Sequence, residues 1–333
     1  MIKFVKLKNK LNTEVTLCNV GASIYNIKTP DKDGKIESIL YTTKNRKDYP
    51  ENTPYLGKTI GRTGGRISNG EFKLSGKIYK IPSNDPNGLH GGNDGLSFKE
   101  FTIKKKKNEI YNEVIFYYES KHLESGYPGN LELKVSYKLY NDENKLLISY
   151  TGISDEDTLL NLSNHAYFNL SGNAKKDILD HELFINSKKM EKIKKSLPEG
   201  IYFTKGIYSF NPMHKIKDYL FDKEIIKNTN GYDFPYFIEK DLEYPIILKD
   251  LETKRVLKIK TSYPAVVLYT CNYPGDYIMN NNKKMKPYYA VCLECMYAPN
   301  SINSDFIKDK KDILLKYKKY EESIELKMEV END

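Results

Sequence analysis

Residues 131–153 read LELKVSYKLYNDENKLLISYTGI. Over 131–139 apolar residues recur at every second position, the period of a half-buried strand. Asn141-Asp142 then marks a turn, and 145–153 starts a second run of the same kind. The pattern recurs along the chain. Residues 14–20, 36–41, 113–119, 244–248, 256–261, 265–271, 288–295 and 323–330 are short alternating or apolar runs rich in Val, Ile, Tyr and Phe. Turn pairs punctuate the chain, among them Asp33-Gly34, Asn69-Gly70, Ser75-Gly76, Pro128-Gly129 and Asn230-Gly231. Helical signals are few: 189–195 and 218–227 are predicted as short helices, the second with Asp218 as N-cap. There is no fixed-period repeat and no Gly/Ser-rich or Pro-rich linker. The expectation is an all-β protein, one large antiparallel β-sandwich domain over residues 1–333.

Composition agrees. The 333 residues include 28 Tyr, 13 Phe and no Trp, and aromatics of this kind favour strands. At 39% hydrophobic and 29% charged, the chain is globular rather than disordered. The net charge of +8 is spread out, and its sharpest cluster, 104–107, reads as a solvated hairpin loop. Nucleic-acid binding would want Arg gathered on one face, yet the only arginines are Arg46, Arg62, Arg66 and Arg255. Cys292 and Cys295 form a C-x-x-C without a second pair, on a strand where residues three apart face opposite ways. With Cys18 and Cys271 they read as free thiols in a reducing compartment. Residues 1–20 lack the apolar run of a signal peptide and no stretch approaches a membrane span, so the expected location is cytoplasmic.

Two segments carry chemistry. Residues 159–170, LLNLSNHAYFNL, split by parity when read as a strand. Leu160, Leu162, Ala166, Phe168 and Leu170 share one face, with Asn164 as the exception. Asn161, Ser163, His165, Tyr167 and Asn169 share the other. That second face is either water-facing or a set of uncharged donors and acceptors suited to sugar hydroxyls. In 288–295, YYAVCLEC, Glu294 interrupts an apolar run. It is either a buried carboxylate with a raised pKa, a candidate general base, or a strand end emerging into solvent. Two glycine-rich stretches hold further polar groups, Gly61 to Ile67 with Arg62 and Arg66 and Gly88 to Gly92 around His90, and Gly231-Tyr232-Asp233 is an acidic loop position. Each alone is no more than a turn. Phosphate-loop, nucleophile-elbow, zincin and EF-hand patterns are absent.

Taken in order, GRTGGRI (61–67), NGLHGG (87–92), NHAYFNLSG (164–172), NGYD (230–233) and VCLECMYAPNSIN (291–303) resemble the aldose 1-epimerase (galactose mutarotase) family. The resemblance runs from about residue 57 to 303 and implies a sugar cleft across one sheet of a large antiparallel β-sandwich. It implies Glu294 as catalytic base and His165 as catalytic acid. It assigns sugar-hydroxyl binding and orientation of the pair to Arg66, His90 and Asp233. No cofactor and no metal are implied, and the expected partner is a small free hexose, not nucleic acid or membrane. The reaction needs Glu294 ionised and His165 protonated; burial opposes that state, and Asp233 is expected to offset it by favouring imidazolium. Three departures from the family stand out: Gly65 where many relatives have Asn, Val267 where many have Gln, and Cys295-Met296-Tyr297 in place of a more polar stretch. Other readings weighed are a hexose-6-phosphate 1-epimerase, which needs extra cations, a non-catalytic carbohydrate-binding protein, and a glycoside hydrolase, which needs two facing carboxylates.

Overall fold

In a computed structural model, which describes residues 1–83 and 85–331, the 131–153 segment folds as an antiparallel pair, Leu131–Tyr140 against Lys145–Ser154. Leu131, Leu133, Val135, Tyr137 and Leu139 are buried, as the alternation requires. This pair lies within a nine-stranded sheet running, edge to edge, from His214–Lys215 to Thr102–Lys107. A second sheet has six strands. Their spatial order is Tyr167–Phe168, Val291–Met296, Ala265–Tyr269, Asp233–Ile238, Ser187–Lys194 and Leu197–Phe203. Every ladder is antiparallel among the described strands. Leu133, Ile148, Leu257 and Leu326 of the larger sheet share one core with Phe234, Tyr236, Leu268 and Leu293 of the smaller. The all-β reading therefore holds, and none of the described helices is long and apolar enough to cross a membrane.

Four local expectations are corrected. Residues 189–195 belong to the strand Ser187–Lys194, because pairing on both sides overrides the helical propensity of a Lys, Glu and Met run. Residues 218–227 divide into Lys217–Leu220 and Lys223–Thr229. The N-cap is Asp222, whose carboxylate accepts from the Glu224 amide at 2.8 Å, while Asp218 accepts from the Lys215 amide. The lysines at 104–107 are strand, not loop: they form the exposed edge Thr102–Lys107, where charge discourages pairing with another chain. In 36–41 only Glu37–Ser38 is strand. All four cysteines are free and buried; Cys292 and Cys295 point into different cores, as their spacing implied.

One buried charge stands apart. In Ser187–Lys194, Met190 faces the shared core, so Glu191 points to the other face, yet it too is fully buried. Among the described residues neither carboxylate oxygen has a hydrogen-bond partner, and burial pushes its pKa up to about 8. A raised carboxyl pKa means that between about 4.5 and 8 the unfolded chain releases a proton the folded chain keeps. Stability is therefore full below 4.5 and lost as pH rises, by about 1.4 kcal/mol per unit. Glu191→Gln is expected to raise unfolding free energy by about 3 kcal/mol at pH 7 and by almost nothing at pH 4. Denaturant titration at both pH values measures this; an equal gain at both would remove ionisation as the cause.

Candidate active site

The smaller sheet sets half of the site. Glu294 lies opposite Val267, and Val267 opposite Pro235; one step along, Cys292 lies opposite Tyr269, and Tyr269 opposite Asp233. Residues in register share a face, so these side chains point away from the core that takes Leu293, Cys295, Leu268 and Phe234. Glu294 is 3% exposed, so it is not a strand end emerging into solvent.

His165 arrives differently from its expectation. Residues 159–170 do not form one strand. Thr158–Leu159, Ser163–Asn164 and Tyr167–Phe168 each pair with a different partner, and both parity sets are buried. The chain is too enclosed for parity to divide core from water. His165 is fixed by its own backbone: its amide donates to the Lys58 carbonyl and its carbonyl accepts from the Gly57 amide, each at 2.9 Å. Gly57 has φ +65, and a Cβ there would lie 1.9 Å from the Ile24 carbonyl oxygen, so only glycine fits. The Tyr167 ring stacks on the imidazole at 5.1 Å. This leaves His165 Nε2 at 3.4 Å from Glu294 Oε1.

The glycine turns supply the rest. Gly65 and His90 are bonded twice: the Gly65 amide donates to His90 Nδ1 at 3.1 Å, and the His90 amide donates to the Gly65 carbonyl at 2.9 Å. The two arginines of GRTGGRI part company. Arg62 is buried and donates to Ser120, Pro128, Thr158 and Gly129, a structural clamp. Arg66 reaches the cleft, its Nε donating to Asp85 at 3.1 Å. Thus Glu294, His165, His90, Arg66 and Asp233 all line one cavity of about 330 Å³. Val267 lines it too. Sequence reading missed Tyr55, Tyr269 and Tyr273 on its walls. Tyr269 had a signal, since it lies two residues from Val267 on the same strand face; Tyr55, whose ring meets His90 edge-on at 4.8 Å, sits in a loop and had none. A wider depression of about 760 Å³ lies on the outer face of the larger sheet beside Tyr117, Glu132 and Ile153, and it contains no imidazole.

Burial dominates the electrostatics. It drives Glu294 well above the usual carboxyl range, helped by Asp233 and opposed by Arg66. It pushes His165 down to about 4. His90 is held well below the usual imidazole value by burial, His165 and Arg66. Asp233 rises to about 6 through burial, with Arg66 opposing. The expectation that Asp233 favours a His165 imidazolium is corrected: its charge bears on Glu294 instead. Burial thus favours the uncharged form of both Glu294 and His165.

His90, His165 and Glu294 offer ligand atoms within 4.8 Å of one another, the composition of some zinc sites. The His90 tautomer does not fit one. Nδ1 accepts from an amide N–H, so the ring proton is on Nε2, the nitrogen whose lone pair a metal would need. His90 is a hydrogen-bond donor to the cleft. Nitrogen-15 NMR is expected to show His90 neutral and protonated on Nε2 at pH 7, unchanged by equimolar zinc; a zinc-dependent shift of its ring nitrogens would overturn this.

The family model for aldose 1-epimerase matches residues 3–327. An aldose 1-epimerase of Haemophilus influenzae is 30% identical over 317 residues, 90% of this chain and 88% of that protein. The galactose mutarotase of Mus musculus is 29% identical over 296 residues, 87% of this chain and 84% of that protein. The crystal structure of an aldose epimerase homologue from C. elegans superposes with a TM-score of 0.90 at 26% identity, covering 100% of both chains. The five sequence pieces, the fold and these matches agree, and the chain belongs to the aldose 1-epimerase family.

Proposed function

We propose that this isomerase interconverts the α and β anomers of a free aldohexose such as glucose or galactose, with Glu294 as base and His165 as acid. The observation that carries the reading is the 3.4 Å separation of the two groups in one enclosed cleft. Mutarotation removes a proton from the anomeric hydroxyl and delivers one to the ring oxygen. Both oxygens hang on the same carbon, so an acid and a base in near contact reach both at once. The ring opens to the aldehyde, the C1–C2 bond rotates, and the same groups close it with roles reversed. Glu294 and His165 hold one proton between them. Sugar hydroxyls and Arg66 stabilise the carboxylate, which moves that proton to His165 as the substrate binds. His90 Nε2–H donates to a hydroxyl, and Asp233, ionised at neutral pH, accepts from others.

A free rather than phosphorylated sugar is favoured by charge. Among the described residues Arg66 is the one cation on the cavity wall, it is already bonded to Asp85, and two carboxyl groups face the same space. A phosphate dianion would find no unpaired cation. The four free, buried thiols make a cytoplasmic location part of this proposal.

Polarimetry on freshly dissolved α-D-glucose and α-D-galactose tests the activity; rates equal to buffer alone would sink it. Glu294→Gln and His165→Asn are each expected to lower kcat by about 10²–10⁴-fold with a much smaller effect on KM. The double variant should be little worse than the poorer single one, since neither group completes the proton relay alone. Fully additive losses would refute the pairing. On the acid side kcat/KM should fall between about 6 and 4, where Asp233 and then His165 take up protons. It should fall again at alkaline pH when the pair loses its shared proton, both limbs belonging to the coupled groups.

A further inference from the structure

The relay puts a positive charge on His165 in a buried place. A histidine that carries a proton in catalysis is commonly steadied by a hydrogen bond from its second ring nitrogen to a carboxylate or a carbonyl. His165 lacks this support. Among the described residues Nδ1 makes no hydrogen bond to another residue, while Nε2 faces Glu294 at 3.4 Å. Burial, which pushes the ring down to about 4, leaves the charge in need of a partner.

Aromatic rings surround the imidazole. Tyr167 lies closest to parallel with it, centroids 5.1 Å apart and planes inclined by 26°. Tyr55 and Tyr269 are both farther, at 6.2 Å, inclined by 32° and 69°. A cation gains from the negative face of a tyrosine ring within about 6 Å, so of these tyrosines only Tyr167 is in range. Its ring is fixed before any charge forms. Tyr167 Oη donates to the Pro54 carbonyl at 2.9 Å, the Tyr167 carbonyl accepts from the Tyr41 amide at 2.8 Å, and the residue pairs with Cys292 on the strand that carries Glu294. Burial holds the phenol well above its usual pKa, so the hydroxyl keeps its proton and its bond to Pro54. What Tyr167 presents to His165 is the face of its ring.

We propose that Tyr167 is a positioning residue for the acid: its ring face stabilises the His165 imidazolium that forms when Glu294 passes its proton to Nε2, in place of the missing hydrogen bond. The contact is weak while His165 is neutral and strengthens as the charge appears. It therefore favours the charged, reactive pair over the neutral one, and is read in kcat more than in KM. This rests on the mutarotase reading and adds a residue to its machinery.

The test replaces Tyr167 with phenylalanine and then, by nonsense suppression, with mono-, di- and trifluorinated phenylalanine. The rings keep nearly one shape while fluorine drains the negative face. Polarimetry on α-D-glucose and α-D-galactose is expected to show kcat falling steadily along the series, about tenfold from phenylalanine to the trifluorinated ring, with KM changing much less. Tyr167→Phe itself costs the Pro54 bond and is expected to lower kcat only about threefold. Tyr167→Leu keeps an apolar side chain without a π face and is expected about tenfold below Tyr167→Phe; this pair decides the matter if a fluorinated variant does not fold. A flat kcat along the series, or Tyr167→Leu equal to Tyr167→Phe, would overturn the inference and leave the mutarotase reading standing. So would a rise in KM at constant kcat, which would mean that the ring meets the sugar instead. A loss in Tyr167→Phe as great as that in His165→Asn would also overturn it, by assigning the effect to the hydroxyl. Wild-type rates equal to buffer alone would bring down the mutarotase reading and this inference together.

Discussion

The position of Glu294, on which the rest of the site is centred, depends on the strict alternation of the strand Val291–Met296. A strand cannot point Glu294 at the cleft without pointing Leu293 and Cys295 at the core, and both are buried there. The apolar neighbours anchor this strand of the smaller sheet to the core, and that anchorage holds a carboxylate in a place it would not choose. The same parity on the two adjacent strands brings Val267, Tyr269 and Asp233 to the cleft while Leu268 and Phe234 go inward. One register error would exchange every one of these for an apolar side chain. The position of Glu294 is thus a consequence of core packing.

The opposite wall obeys a different rule. It is built from turns, where backbone hydrogen bonds do the positioning. The paired bonds between Gly65 and His90 join two glycine-rich segments 25 residues apart. Arg62 ties the first of them to the 120s and to Pro128 and Gly129 through buried carbonyls. His165 hangs on the carbonyl and amide of its neighbours at 57 and 58. These segments satisfy their polar backbone internally, which lets them line the cleft without strands of any length. Asp85 completes this wall by holding Arg66 through Nε.

This division explains what could be read from the sequence. Alternation is visible in one dimension, so the strands around 131–153, the opposite orientations of Cys292 and Cys295, and the anomaly of Glu294 were legible. The turn-built wall was not. Nothing at 159–170 signals that three short bridges replace one strand, because the burial of both parity sets comes from distant partners such as Ile60 and Cys292. The residues 189–195 misled for a related reason. Lys192 lays its chain over the Tyr202 and Tyr208 rings, so a lysine occupies an inward position that a hydrophobic count marks as polar. His90, Arg66 and Asp233 were legible only together, by the family resemblance. Tyr55 was not legible at all, since a loop tyrosine in a chain with 28 of them carries no distinguishing signal.

The electrostatic state of the cleft follows from the same burial. An ionised Glu294 beside a protonated His165 would place two charges in a region where each loses its hydration, and an ion pair recovers that loss only with good geometry and further hydrogen bonds. Burial instead favours the proton on the carboxyl group, the cheaper arrangement for groups 3% and 5% exposed. Asp233 strengthens this by disfavouring a second negative charge nearby. Both arrangements contain the same number of protons, so passing between them needs no exchange with solvent. In the proposed reaction the sugar supplies what the empty cleft lacks, hydroxyl donors to the carboxylate, and the proton crosses the short gap to His165. A site that held the charged pair permanently would need fixed donors around Glu294, and those would compete with the anomeric hydroxyl for its lone pairs. Keeping the pair neutral until substrate arrives leaves the base free for the one proton it has to take.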